Sequence, residues 1–177
     1  MVIPEQAEFG RIYLDPVWAL SHRELEYDHE EFNNPSDTLE WRGLGFTQTR
    51  FTGDLYDMRR SEPSWMQQIR EQIPMRHWSW SLYRMRSGDV LPEHSDTYSK
   101  FRNIYDVSDT NTIRRYVLFM EPWQSGHYFE IDGTPITGWQ AGDGVYWHGS
   151  TPHLAANLGR THRYTLQITG VISRENV

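Results

Sequence analysis

The sequence predicts a mainly β protein, a sandwich or barrel of short strands with a few helices packed on its outside. Three observations carry this expectation. Seven segments rich in β-branched and aromatic residues are separated by glycine-containing turns. The last of them, Arg163 to Thr169 (RYTLQIT), alternates polar and apolar residues strictly. Only two segments carry helix start and stop signals.

In chain order, RIYL is the first expected strand. Asp15-Pro16 then places an N-cap before a proline at the first helical position, and VWALSHRELEY is expected to continue as a helix. The stretch from His29 to Gly45 (HEEFNNPSDTLEWRGLG) reads as a long loop by its Asn, Pro, Ser, Asp and Gly content, either a lid over a site or a surface excursion. TQTRFTGDLY is a strand. Ser61 or Glu62 with Pro63 opens a second helix, in which Trp65, Ile69 and Ile73 recur at four-residue spacing until Pro74 ends it. Five further strands follow: HWSWSLYRMR, TIRRYVLFM, HYFEIDG, GVYWHG and HRYTLQITGVI. In the last, Arg163, Thr165, Gln167 and Thr169 share one face, and Tyr164, Leu166 and Ile168 share the other. The polar face either meets solvent or lines a polar cavity inside a barrel, and periodicity leaves both open.

The 177 residues are expected to form one domain, large enough for a substantial core. There is no cysteine, which excludes disulfides and thiolate metal sites. The first twenty residues match neither a secretory nor a transit peptide, and no segment has the length to cross a bilayer, so a soluble protein of the cytoplasm is expected. A net charge of −7 without a long basic run argues against a nucleic-acid partner. Lys100 is the only lysine, so a cation inside a pocket will almost always be a guanidinium, the group suited to bidentate carboxylate recognition. The eight tryptophans and ten tyrosines are assigned first to an aromatic core, Trp139 and Trp147 among them.

The chemistry centres on His94-Ser95-Asp96, just beyond a strand and the Gly88 turn. A His-x-Asp pair alone is weak: eight histidines and eleven aspartates would produce about half of one by chance. His22-Arg23-Glu24 and His29-Glu30-Glu31 are decoys of the same kind. What raises the odds is the downstream pair His153 and Arg163. A tight turn at Asn157-Leu158-Gly159 would make a hairpin in which these two lie opposite each other, Cβ atoms about 5 Å apart. His148, five residues before His153, would face the other way and is left out of the ligand set. Two histidines and a carboxylate on one face of a metal leave open positions, the geometry suited to Fe(II) and dioxygen. An arginine beside them can hold the far carboxylate of a short diacid whose other end chelates the metal.

HSD at 94 to 96, the distal His153, and Arg163 with R-x-T following resemble the iron and 2-oxoglutarate signature of the Fe(II)/2-oxoglutarate-dependent oxygenases. SLYRMRSGDVLPEHSD and GWQAGDGVYWHGSTPHLAANLGRTHRYTLQITG are most similar to the aspartyl/asparaginyl β-hydroxylase and proline-hydroxylase branches. The resemblance spans about residues 78–172. It implies a double-stranded β-helix, or jelly-roll, core. It further implies iron on His94, Asp96 and His153, and 2-oxoglutarate on Arg163, with Tyr83, Thr165 and Arg114 nearby. The activity implied is hydroxylation of an amino-acid or peptidyl side chain, with succinate and carbon dioxide as co-products. Arg102, Arg115 and His127 are expected on the substrate side. The segment Thr97 to Ile113, between Asp96 and Arg114, is longer than that branch leads one to expect.

Each residue also has a plainer reading. His153 could be a hydrogen-bonded turn histidine, and Arg163 could pair with an acid on a neighbouring strand. A cupin-like metalloenzyme that does not use 2-oxoglutarate, or a non-catalytic jelly-roll binding protein, would share the scaffold.

Overall fold

The computed structural model describes residues 9–32, 34–47 and 51–172. Eleven strands form two sheets among these residues. They are β1 (Phe9–Tyr13), β2 (Asp28–Glu31), β3 (Thr52–Asp57), β4 (Arg76–Met85), β5 (Val90–His94), β6 (Ile113–Phe119), β7 (His127–Ile131), β8 (Thr134–Ile136), β9 (Asp143–His148), β10 (His153–Asn157) and β11 (Arg163–Val171). Three helices accompany them: α1 (Pro35–Gly43), α2 (Met66–Gln72) and α3 (Ser99–Tyr105).

The larger sheet runs β1-β9-β6-β11-β4-β3-β2 and the smaller β5-β10-β7-β8. All pairings are antiparallel. From β4 onward every connection crosses between the sheets except the β7–β8 hairpin, two Greek keys folded face to face, which is the topology of a double-stranded β-helix. β1, β2 and β3 extend the larger sheet at its two edges.

Strand β11 explains the architecture. Tyr164, Leu166 and Ile168 pack outward into a core with Trp18, Met66 and Ile69, where α2 and the amino-terminal segment cover the larger sheet. Its polar face is just as enclosed: Arg163 is 3% exposed and Thr165 1%. It looks into the space between the sheets, beside a second core that includes Met85, Phe119, Phe129 and Trp147. Of the two alternatives that the alternation leaves open, the cavity is the one realised. No helix among the described residues is long and apolar enough to cross a membrane.

Several local expectations are corrected. The helix expected after Pro16 is only a 3-10 turn, Ser21–Glu24. Ala19 turns left-handed at φ 46°. The Trp18 indole donates to the Met120 carbonyl, and His22 and Arg23 hold Glu121, so tertiary anchoring overrides helix propensity there. The loop expected from His29 to Gly45 contains β2 and α1. Its Asn and Pro are a helix start: the Asn34 side chain accepts from the Ser36 amide, and Pro35 occupies the first turn. Part of the expected strand TQTRFTGDLY lies outside the described residues, and β3 begins at Thr52. The strands β5, β8 and β10 and helix α3 carry little local signal.

The expected hairpin around Leu158 does not form. β10 pairs with β5 and β7, whereas β11 pairs with β4 and β6, so the connection crosses from one sheet to the other. Asn157 ties this crossing down by donating to the carbonyls of Met85 and Thr161. His153 and Arg163 therefore reach the interior from opposite walls instead of standing side by side.

Candidate metal centre

His94 and His153 are register partners on β5 and β10, with ring centroids 4.3 Å apart. Each ring is fixed in the same way. His94 Nδ1 lies 2.8 Å from the Pro92 carbonyl, and His153 Nδ1 lies 3.0 Å from that of Thr151. A backbone carbonyl on Nδ1 holds the proton there and leaves the Nε2 lone pair for a metal. Burial presses the His153 imidazole down to about pH 4, so it is neutral and ready to ligate at physiological pH.

Asp96 completes the group. One ligand atom from each of His94, Asp96 and His153 lies within 4.8 Å of the others. The carboxylate is oriented from across the sandwich, where the Arg115 guanidinium on β6 meets Asp96 Oδ2 at 3.0 Å. Burial alone would raise the Asp96 pKa, but Arg115 and then the two imidazoles hold it below the usual carboxylate range. Arg115 is steadied by Gln167 Oε1 at 3.3 Å and lies 5.5 Å from the ring of Tyr98, the residue that leads into α3. The long Asp96-to-Arg114 segment thus serves to build this wall.

Arg163 lines the same cavity as the three ligands, together with Tyr83, Thr165 and Gln167. Its guanidinium sits between 5.6 and 5.9 Å from the rings of Phe119, Phe129 and Trp139. Among the described residues, Nη1 meets only the Met85 sulfur, and Nε and Nη2 are buried without a hydrogen-bond partner. Burial pushes its pKa down to about 10, which still leaves it charged at neutral pH. A buried cation with unsatisfied donors is costly unless an anion joins it. The residues fit an oxygen- and nitrogen-ligated metal with a small carboxylate ligand beside it.

The remaining expected residues divide. Arg114 faces the other side of β6, over the Tyr146 ring at 4.9 Å, because adjacent strand positions point to opposite faces. Of the two neighbours it is Arg115 that lines the cavity, bound to Asp96 and not free for substrate. Arg102 bonds to the carbonyls of Val107 and Ser108 at the end of α3, and His127 bonds to Thr161 beside the sheet crossing; neither lines the cavity. Sequence reasoning missed Trp41 and Phe32, whose rings stand 6.0 and 5.0 Å from His94, and put Trp147, 4.8 Å from His153, in the core only.

No family model matches the sequence, and no curated protein is significantly similar to it. Solved structures are similar in fold. The non-heme alpha-ketoglutarate-dependent carbocyclase SnoK from nogalamycin biosynthesis superposes with TM-score 0.63 at 11% identity, over 94% of this chain and 80% of SnoK. The alpha-ketoglutarate-dependent epimerase SnoN from the same biosynthesis gives 0.59 at 14%, over 93% and 77%. A prolyl-4-hydroxylase from Pseudomonas putida gives 0.50 at 17%, over 83% and 92%. The chain shares their fold. Identities this low carry the architecture and leave the reaction to the site itself.

Proposed function

We propose that the protein is an Fe(II)- and 2-oxoglutarate-dependent oxygenase. The observation that carries this reading is the buried Arg163 guanidinium, a cation with two nitrogens unpaired among the described residues, on a side chain that lines the same cavity as His94, Asp96 and His153. A cupin-like metalloenzyme without 2-oxoglutarate would leave that charge without a counterion.

In this reading the two imidazole Nε2 atoms and the Asp96 carboxylate hold the iron. Bound iron supplies dioxygen activation coupled to decarboxylation of 2-oxoglutarate to succinate. Arg163 takes the distal carboxylate, with Thr165 and Tyr83 lining the same end. The cavity, about 120 Å³, has room for a molecule of that size and little else. Arg115 keeps Asp96 ionised and aimed.

Titration of 2-oxoglutarate into protein loaded with redox-silent Mn(II) tests the assignment, followed by succinate release with Fe(II). Saturable binding that depends on both metal and Arg163 is expected; metal binding without 2-oxoglutarate binding would refute it.

A further inference from the structure

A second, larger cavity of about 850 Å³ opens beyond Asp96 and shares Phe32, Asp96 and Arg115 with the inner one. Its floor is the larger sheet, where Ser79 and Thr169 are register partners and Ser81 lies two residues along β4. None of these three hydroxyls has a side-chain hydrogen bond among the described residues, so all three are free for a ligand. Phe101 and Ile104 of α3 and Phe32 line it as well. Met58, 48% exposed, and Ile104, 62% exposed, add apolar surface to its lining.

Charge in this cavity is already compensated. Asp57 is held by Arg59 at 2.8 and 3.1 Å, and Arg59 also meets Glu30. Asp96 is held by Arg115. Lys100 remains, exposed at the rim. An amino-acid zwitterion would find no unpaired carboxylate for its ammonium, and for its carboxylate only Lys100 at the rim, so burying it on the sheet floor would be unfavourable. A peptide needs partners for its backbone, and the strand residues that line the groove on β4 and β11 already pair with neighbouring strands. The volume is that of a drug-sized ligand.

We propose that this groove seats a bulky, uncharged ring compound bearing hydroxyl or carbonyl groups. Its oxygens meet Ser79, Ser81 and Thr169, and its rings lie against the apolar lining that includes Phe32 and Phe101. This replaces the amino-acid or peptidyl side chain expected from the sequence resemblance. That the bound molecule is the one oxidised rests on the oxygenase reading; that it binds does not.

The test uses a dihydroxyanthraquinone as probe, with proline and a short uncharged peptide as competitors of the other class. Calorimetric titrations into Mn(II)-loaded protein are run with and without 2-oxoglutarate, on wild type and on the double variant Ser81→Ala/Thr169→Val, whose folding is checked by its melting curve. The expected result is quinone binding that the double variant weakens at least about tenfold, together with weaker binding to Ile104→Asp. The proposal is overturned if the quinone does not bind, if the double variant binds it as well as wild type, or if proline or the peptide binds more tightly. Failure of 2-oxoglutarate to bind counts against the oxygenase reading alone, because the titrations without it still decide the groove.

Discussion

His153 and Arg163 are ten residues apart in the chain, yet they face one cavity from different sheets. The crossing at Asn157 converts a short sequence interval into an imidazole of the candidate metal centre on one wall and a buried guanidinium on the other. One wall can therefore change without moving its counterpart, and the predictions separate accordingly.

On the first wall, His153→Ala removes an imidazole held by the Thr151 carbonyl and facing His94. Mn(II) affinity should fall by at least about tenfold, with Asp96→Ala at least as damaging and turnover with Fe(II) abolished in both. Calorimetry and a succinate assay measure this. Normal metal-supported activity in either variant would remove these residues from the ligand set.

On the second wall, Arg163→Ala should chiefly raise the 2-oxoglutarate requirement, since the metal ligands stay in place. Arg163→Met goes further. It replaces a guanidinium that has two unpaired buried nitrogens with an apolar chain amid three aromatic rings. Stability should rise by roughly 1–3 kcal/mol while 2-oxoglutarate binding is lost. Calorimetric unfolding without ligands reads the gain, and an unchanged or lowered melting temperature would mean that the charge is satisfied in some other way.

Arg115 acts through Asp96. Arg115→Leu leaves the three ligands present but takes away the cation that outweighs burial and keeps the carboxylate ionised. Metal affinity should drop by about 10–100-fold. The loss should be steeper at acidic pH, because Asp96 would then protonate at higher pH than in wild type. Metal titrations across pH would expose a merely structural role as a uniform loss.

The His94-x-Asp96 pair and most long strands are legible because those signals are local, a His-x-Asp pair after a turn and strict alternation in Arg163 to Thr169, whereas His153 enters through the resemblance, since the hairpin expected to place it does not form. The rest depends on partners distant in the chain. Nothing between His153 and Arg163 announces that each strand pairs elsewhere. Arg114 and Arg115 cannot be told apart by pattern, since Tyr116, Val117, Leu118 and Phe119 are buried on both faces of β6. The segment after Pro16 has helix-like composition, but Trp18 and His22 are claimed by Met120 and Glu121. Asn34 and Pro35 belong equally to the vocabulary of loops and of helix starts, and only the packing of Trp41 beside His94 decides for the helix.

Gly53 sets the position of Tyr83. A Cβ on Gly53 would overlap the Tyr83 ring, with atoms of the ring and hydroxyl well inside contact distance. Gly53→Ala should therefore destabilise the fold by roughly 1–3 kcal/mol and raise the KM for 2-oxoglutarate more than it lowers kcat. Adding Tyr83→Leu should recover much of the stability but not the affinity. A Gly53→Ala protein with unchanged melting temperature and KM would show that the ring is free to move aside.

The amino-terminal clasp should be sensitive to acid. Glu121 is met by His22 at 2.8 Å and by two Arg23 nitrogens at 2.6 Å. Burial raises its pKa, but these hydrogen bonds overcome that and bring it from 4.5 down to about 2. Because the folded pKa lies below the unfolded one, the contribution is fully present above about pH 4.5 and disappears as pH falls toward 2. Glu121→Gln should melt below wild type at neutral pH, with the gap closing through that window. A gap that stayed constant down to pH 2 would mean that the ionised carboxylate does not hold Trp18 and the 3-10 turn against the sheet.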